Sequence, residues 1–304
     1  GETGFSGTSR NNPFTISSYN GERVLIPDAT YGLRDKLHHQ FVRLIGPIEV
    51  HNCSAVLSVQ TSGDSWSGTP AFTKYGWDIQ NITAINCSNG MRFENFNDLT
   101  VKNVVIETHT NVRLSDRDSP VGLGFEKGTK NVYVENARVS GMNDGKYEQT
   151  GPGGGGDADC FWSDHSGTDN LRFKNIEGSN CSEDGFDFKS RNVEIINGKF
   201  YNNQYNGLKV WWPRTSENLN TRFYGENILV YNNGADGIRC TSVNDFTLKN
   251  ATISGNVENG IKWTSDWFNG GGTCSGSVQN TIIANNKETE IYYGITTQLK
   301  SWNP

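Results

Sequence analysis

Asp184-Gly185-Phe186-Asp187-Phe188 is one of five copies of a short motif, in which a small residue, usually Gly, precedes apolar residues that flank one variable position. The other copies are Ala158-Asp159-Cys160-Phe161-Trp162, Asn206-Gly207-Leu208-Lys209-Val210, Asp236-Gly237-Ile238-Arg239-Cys240 and Asn259-Gly260-Ile261-Lys262-Trp263. Counted from Cys160 and then from each Gly, the copies lie 25, 22, 30 and 23 residues apart. A repeat of this period predicts a solenoid in which each coil packs on its neighbours.

Apolar and polar residues alternate within the motif, and alternate again in a second segment of several coils, at residues 99–103, 132–136, 171–175 and 246–250. This period predicts half-buried strands, and no stretch has the 3.6-residue apolar period of a helix. The chain is therefore predicted to be all-β, a single-stranded right-handed parallel β-helix. We expect one domain over residues 1–304, with residues 1–50 as an N-terminal cap and 285–304 as a C-terminal coil or tail.

Asparagine recurs at two positions of the repeat, one just before the motif and one at the end of the second strand. The first set is Asn86, Asn203, Asn233, Asn256 and Asn286, and the second is Asn103, Asn136, Asn175 and Asn250. Stacked amides can hydrogen-bond to each other and to the turn backbone. Both columns are interpreted as structural.

The net charge of −6 argues against nucleic acid as a partner. No apolar run is long enough to span a membrane. Five Asn-x-Ser/Thr sequons fit a secreted, glycosylated protein, and we expect a monomer. The six Cys lack CxxC spacing; Cys53 and Cys87 recur at one place in successive coils, as stacked thiols or as a disulfide.

The variable position of the motif is predicted to point away from the core. The residues in this column are Arg92, Gly124, Trp162, Asp187, Lys209, Arg239 and Lys262. Because stacked coils lie about 4.8 Å apart, they should form a line of side chains on one exposed face.

Acidic residues concentrate in the two coils before Lys209, at Asp157, Asp159, Glu183, Asp184 and Asp187. Like charges this close repel each other, and a cation would relieve the repulsion. Oxygen ligands without thiols or imidazoles favour Ca²⁺. The alternative interpretation is that Asp159 and Glu183-Asp184 only cap turns.

Lys209 is the candidate base, since a neighbouring cation such as Arg239 should lower its pKa toward neutrality. Its alternative interpretation is a solvated surface residue. Aromatic and cationic side chains suited to a uronate sugar lie nearby. The predicted substrate-binding residues are Trp162, Trp211, Trp212, Arg214 and Lys262.

These residues resemble family 9 of the polysaccharide lyases, enzymes with a pectate-lyase-like β-helix. The similar residues are Ala158-Asp159-Cys160-Phe161, Glu183-Asp184-Gly185-Phe186-Asp187 and Asn206-Gly207-Leu208-Lys209. The resemblance covers residues 158–209 and implies that Asp159, Glu183, Asp184 and Asp187 bind Ca²⁺ and that Lys209 is the Brønsted base. Cys160, Glu183 and Leu208 depart from the family's Gly, Asp and aromatic residue.

The expected function is Ca²⁺-dependent β-elimination on an acidic polysaccharide, most simply pectate, with Lys209 and Arg239 as catalytic residues. A glycoside hydrolase would need two carboxylates, for which Asp157, Asp164 and Asp187 are candidates. Asp164-His165 is also similar to the acid-histidine pair of alginate epimerases. A non-catalytic carbohydrate-binding β-helix is the remaining alternative, because fold does not fix function.

Overall fold

The protein folds into two sheets of parallel strands. The structure is a computed structural model that describes residues 6–35, 39–59, 73–109, 120–143, 158–163, 167–211, 221–264, 274–293 and 298–303. The first sheet has the strands Phe14–Ser17, Val24–Ile26, Val42–His51, Lys74–Ile85, Phe96–Glu107, Lys130–Ser140, Asp169–Ser179, Asn192–Tyr201, Arg222–Tyr231, Asp245–Lys249, Thr252–Ser254, Ser275–Gln279, Ile282–Ala284 and Gln298–Asn303. The second sheet has Tyr31–Asp35, Ala55–Val59, Asn89–Glu94, Leu123–Glu126, Phe161–Ser163, Phe186–Phe188, Leu208–Trp211, Ile238–Thr241, Ile261–Thr264 and Ile291–Tyr293. Within the described residues the only helical segment is the short 3₁₀ turn Tyr19–Gly21.

The chain alternates between the two sheets, and each strand pairs with the matching strand of the next coil. Asp169–Ser179, for example, pairs with Lys130–Ser140 on one side and Asn192–Tyr201 on the other. This topology confirms the predicted parallel β-helix, wound right-handed as connections between parallel strands are. None of the described residues forms a helix long and apolar enough to cross a bilayer.

The long strands of the first sheet turn at an asparagine in mid-strand. Asn103 and Asn136 have φ values of 53° and 55°, a left-handed conformation that Asn tolerates better than most residues. The Asn136 amide donates to Asn103 Oδ1 at 2.9 Å, and Asn175 donates to Asn136 in the same way. The predicted column is confirmed, and the structure adds Asn81, Asn197, Asn227 and Asn280 to it.

A second asparagine ladder lies inside the solenoid. Asn203 donates to Asn233 Oδ1 at 3.0 Å, Asn233 to Asn256 at 2.9 Å, and Asn256 to Asn286 at 2.8 Å. Assigning Asn86 to this ladder was wrong, because Asn86 has a φ of 54° and its Oδ1 accepts from the backbone of His109.

Cysteines take the ladder position in other coils. The backbone N–H of Cys181 donates to Asn203 Oδ1, as that of Asn203 donates to Asn233. All six cysteines form disulfides, which join Cys53 to Cys87, Cys160 to Cys181 and Cys240 to Cys274. The open question about Cys53 and Cys87 is thus answered in favour of a disulfide.

One hydrophobic cluster fills the solenoid from Val42 to Val278. Phe186 and Phe188, which flank the variable position of the motif, are fully buried and pack on Phe173 of the first sheet. Their inward orientation turns the intervening Asp187 away from this core. The division of the chain into one domain with a cap and a tail stays a prediction.

Replacing Asn233 by Ala should lower the free energy of unfolding by about 1–3 kcal/mol, because the buried N–H groups of Asn203 lose their acceptor and the Phe200 carbonyl loses its amide donor. Urea unfolding followed by circular dichroism measures this. Asn286→Ala is the control and should cost less, since Asn286 is only half-buried and water can replace its amide. Equal losses in the two variants would contradict a role for the buried ladder.

Candidate functional site

The variable positions of the motif form one column across the second sheet. Trp162 pairs with Asp187, Asp187 with Lys209, Lys209 with Arg239, and Arg239 with Lys262. The column continues through Gly124 to Arg92 in one direction and to Tyr292 in the other. The register predicted from the motif is confirmed.

The middle of this column is buried, so the prediction of an exposed line of charges was wrong there. Trp162 is 6% exposed, and the side chains of Lys209 and Asp187 are 11% and 2% exposed. These side chains are buried because the residue two positions further along the chain lies on the same side of the sheet and covers them. Lys189 follows Asp187 in this way, and Trp211 follows Lys209.

Two lysines bind the acids of the column. Lys209 Nζ lies 2.9 Å from Asp187 Oδ2 and 3.2 Å from Asp184 Oδ2. Lys189 Nζ donates to the same Asp187 oxygen, also at 2.9 Å. One carboxylate oxygen therefore accepts bonds from two ammonium groups.

Asp159 and Asp184 also hold the turns, as their alternative interpretation proposed. Asp159 Oδ1 accepts from the backbone N–H of Asp184 at 2.9 Å. Asp184 Oδ1 accepts from the backbone and the side chain of Asn206, both at 2.8 Å. Each carboxylate uses one oxygen for the turn and presents the other to the column. Asp159 Oδ2 and Asp187 Oδ1 are buried and accept no hydrogen bond.

Burial and mutual repulsion act on these carboxylates. Burial, followed by the charges of Glu183, Asp187 and Asp184, raises the pKa of Asp159 well above its usual value. Burial likewise raises the pKa of Asp184, against the effect of Lys209. Burial also opposes ionisation of Asp187, but Lys189 and Lys209 outweigh it and lower its pKa. The negative charge of Asp187 is thus balanced by two lysines, whereas that of Asp159 is not balanced.

The predicted lowering of the Lys209 pKa was wrong for this arrangement. Burial does favour the neutral amine, but Asp187 and Asp184 outweigh it and raise the pKa well above the usual value. Arg239 is one coil away and donates instead to the hydroxyl of Tyr205, at 3.2 Å. Lys209 is therefore an ammonium ion as long as both carboxylates bind it.

The donor set suits Ca²⁺, because it consists of carboxylates and includes buried acceptors without a hydrogen bond on Asp159 and Asp187. The positions of these side chains fit a metal ion less well. Within the described ranges, no three acidic, His or Cys side chains converge closely enough to hold one. Lys209 takes the place beside Asp184 and Asp187. A bound Ca²⁺ would have to replace its ammonium group there.

Sequence analysis missed Lys189, whose ammonium group lies 5.6 Å from the ring of Trp162 and 5.7 Å from that of Trp211. Lys209 also lies over Trp211, at 5.2 Å. Both tryptophans therefore belong to the site, although they surround lysines here. The alternation of strand residues was the available signal, because it places Asp187 and Lys189 on one side of the sheet.

Other predicted residues lie further along the column or outside the described residues. Lys262 lies further along the column and is paired with carboxylates, 3.5 Å from Asp236 and 3.2 Å from Glu258. The residues outside the described part are Asp157, Asp164, His165, Trp212 and Arg214.

Several solved structures with a similar fold are epimerases of alginate or mannuronan. The mannuronan C-5 epimerase AlgE6 A-module of Azotobacter vinelandii has a TM-score of 0.53 and 16% identity, covering 94% of this chain and 91% of that structure. A singly substituted periplasmic alginate epimerase AlgG has a TM-score of 0.52 and 10% identity; 87% of this chain matches 60% of that structure. A doubly substituted AlgG also has a TM-score of 0.52, at 11% identity, covering 95% and 72%. These likenesses establish the parallel β-helix fold. No protein-family model and no curated protein matches the sequence.

Asp159→Asn should stabilise the ion-free protein at neutral pH. Since folding raises the pKa of Asp159, its contribution to stability is greatest at low pH and is lost as the pH rises through the folded-state pKa. Asn removes the charge and keeps the Oδ1 acceptor for Asp184. Thermal unfolding in chelator at neutral pH should show a higher Tm.

Asp187→Asn is the matched control and should lower the Tm in the same experiment. Folding lowers the pKa of Asp187, so this group stabilises the protein above its unfolded-state pKa, and that stability is lost as the pH falls. A shift in the same direction for both variants would contradict this view of the charge balance.

Proposed function

We propose that this protein removes the C5 proton of a uronate residue in an acidic polysaccharide and completes a Ca²⁺-dependent β-elimination, with pectate as the first candidate substrate. The main supporting observation is Lys209, which binds Asp184 and Asp187 and is also affected by the charges of Asp159 and Glu183. The resemblance of residues 158–209 to family 9 lyases points to the same chemistry.

Lys209 must be neutral to accept a proton. Burial favours the neutral amine, and the neighbouring carboxylates, first Asp187 and Asp184, reverse that preference and raise the Lys209 pKa. When Asp184 and Asp187 turn to another partner, burial dominates and the amine becomes a base. Lys189 stays on Asp187 and keeps that buried carboxylate compensated after Lys209 has left.

Calcium bound by Asp159, Glu183, Asp184 and Asp187 would supply the positive charge that neutralises the uronate and stabilises the charge developing at C5. Lys209 takes the C5 proton, and the electron pair forms the C4–C5 double bond. The C4–O4 bond breaks, and O4 leaves with the bonding electrons and is protonated by water. Arg239 binds a carboxylate or the departing oxygen. Trp162 and Lys262 lie in the column on either side of Lys209, and Trp211 lies beside it. Together with Trp212 and Arg214, they are the proposed sugar-binding residues.

C5 epimerisation is the second candidate, and it is favoured by the similar fold of mannuronan and alginate epimerases. It begins with the same proton abstraction, but a proton then returns to the opposite face of C5 and the chain is not cut. The three disulfides fit a protein that acts on such a polymer outside the reducing cytosol.

Incubation with polygalacturonate and Ca²⁺ at mildly alkaline pH should increase the ultraviolet absorbance, because β-elimination forms an unsaturated sugar. The same assay with mannuronan, in D₂O, separates the two candidates: an epimerase incorporates deuterium at C5 without new absorbance. A saturated reducing end would indicate a hydrolase. Neither absorbance nor exchange from pectate, alginate, glucuronan or rhamnogalacturonan would overturn the proposal.

Lys209→Met should reduce turnover by at least about 100-fold, the usual contribution of a general base. Initial rates at saturating substrate measure this, with circular dichroism to verify the fold. Lys199→Met is the control and should retain activity, because Lys199 lies on the first sheet beside Tyr201. Comparable turnover in the two variants would exclude Lys209 as the base.

A further inference from the structure

The arrangement around Lys209 occurs a second time, two coils further on. Asn259 donates to Asp236 Oδ1 from its side chain at 2.7 Å and from its backbone at 3.3 Å. Lys262 Nζ lies 3.5 Å from the other oxygen of Asp236. Asp184, Asn206 and Lys209 have the same three roles in the first copy.

The two copies differ in charge. The residue before Lys209 in the column is Asp187, whereas the residue before Lys262 is Arg239. In the first copy, the backbone N–H of Asp184 donates to the carboxylate of Asp159 in the preceding coil. In the second copy, the backbone N–H of Asp236 donates to the amide oxygen of Asn206 instead. The first copy is therefore rich in carboxylates and suits a cation. The second has Asn206 and Arg239 in place of Asp159 and Asp187, and its second carboxylate is Glu258, 3.2 Å from Lys262.

The second copy is also more accessible. The side chain of Lys262 is 23% exposed, compared with 11% for Lys209. Tyr292 follows Lys262 in the column, is 44% exposed, and has its ring 5.8 Å from the Lys262 ammonium group. An exposed aromatic ring beside an ammonium group, with the guanidinium group of Arg239 one coil before that lysine, has the chemistry that binds a sugar face and its carboxylate.

We infer that Lys262 and Tyr292 form, next to Arg239, a second uronate subsite that fixes the polymer along the solenoid axis. The inference rests on the proposed function, since it names where a second sugar of the same substrate binds. Neighbouring coils lie about 4.8 Å apart, close to the advance of one sugar along an extended 1,4-linked chain. A polymer with one sugar at Lys209 thus brings a later carboxylate to Lys262 and a further ring to Tyr292.

Calorimetric titration with oligogalacturonates and oligomannuronates of defined length tests this subsite. The parent is the full chain with Lys209→Arg, which retains the charge and prevents turnover during the titration. Adding Tyr292→Ala or Lys262→Met should weaken hexamer binding by about tenfold, a hot-spot effect, and leave dimer binding within about twofold. Lys262→Arg should restore hexamer binding.

Tyr292→Ala removes an exposed side chain, so it reports on binding even if Lys262→Met destabilises the coil by leaving Asp236 unpaired. Lys199→Met, on the other sheet, serves as the control. If the parent binds hexamers and the variants bind them equally well, the subsite is excluded and the proposed function stands. If the parent binds no uronate oligomer of any length, the proposed function fails, and the subsite with it.

Discussion

Each coil of this solenoid must satisfy the buried polar groups of the coil beside it. The turns bring backbone N–H groups into the interior, where water cannot reach them, and an unpaired group there is costly. Asn203, Asn233 and Asn256 satisfy this need with one amide per coil, each bonded to backbone and to the next amide. The fold therefore depends on a chain of side chains rather than on any single turn.

Asp159 and Asp184 perform the same task at another corner, and this explains how acids come to be buried there. Each accepts a turn N–H with one oxygen and leaves a second charged oxygen in a region of low exposure. Lys189 and Lys209 offset part of that charge. The site thus combines turn capping with charge binding, and substitutions will affect stability and function together.

The sequence predicted the fold and the column because both follow from local periodicity. Alternation in the motif placed Asp187, Lys209 and Arg239 in one line, and the structure has that register. The predicted assignment of Asn86 to the buried ladder was wrong, because the turn after Cys87 is one residue shorter than the turn after Asn203. Sequence spacing cannot show such a change in turn length when neighbouring copies are equally rich in Asn.

Burial was the other property that periodicity did not predict. Whether a column residue is exposed depends on what lies beside it, and Lys189 and Trp211 cover the middle of the column while the end near Tyr292 stays open. The predicted lowering of the Lys209 pKa failed for a different reason: two carboxylates are closer partners than Arg239 and raise that pKa. The metal, the substrate and the roles of the residues remain proposals.

The Asp–Asn–Lys unit needs only two adjacent coils, as its two occurrences demonstrate. A gene duplication or deletion of one coil between the copies would shift Lys262 relative to Lys209 by one coil height without breaking either unit. Repeat proteins can therefore acquire a preference for longer or shorter polymers by changing the number of coils, with no substitution at the reacting residues. Under the proposed function, the coil height would set the spacing between the sugars that the solenoid binds.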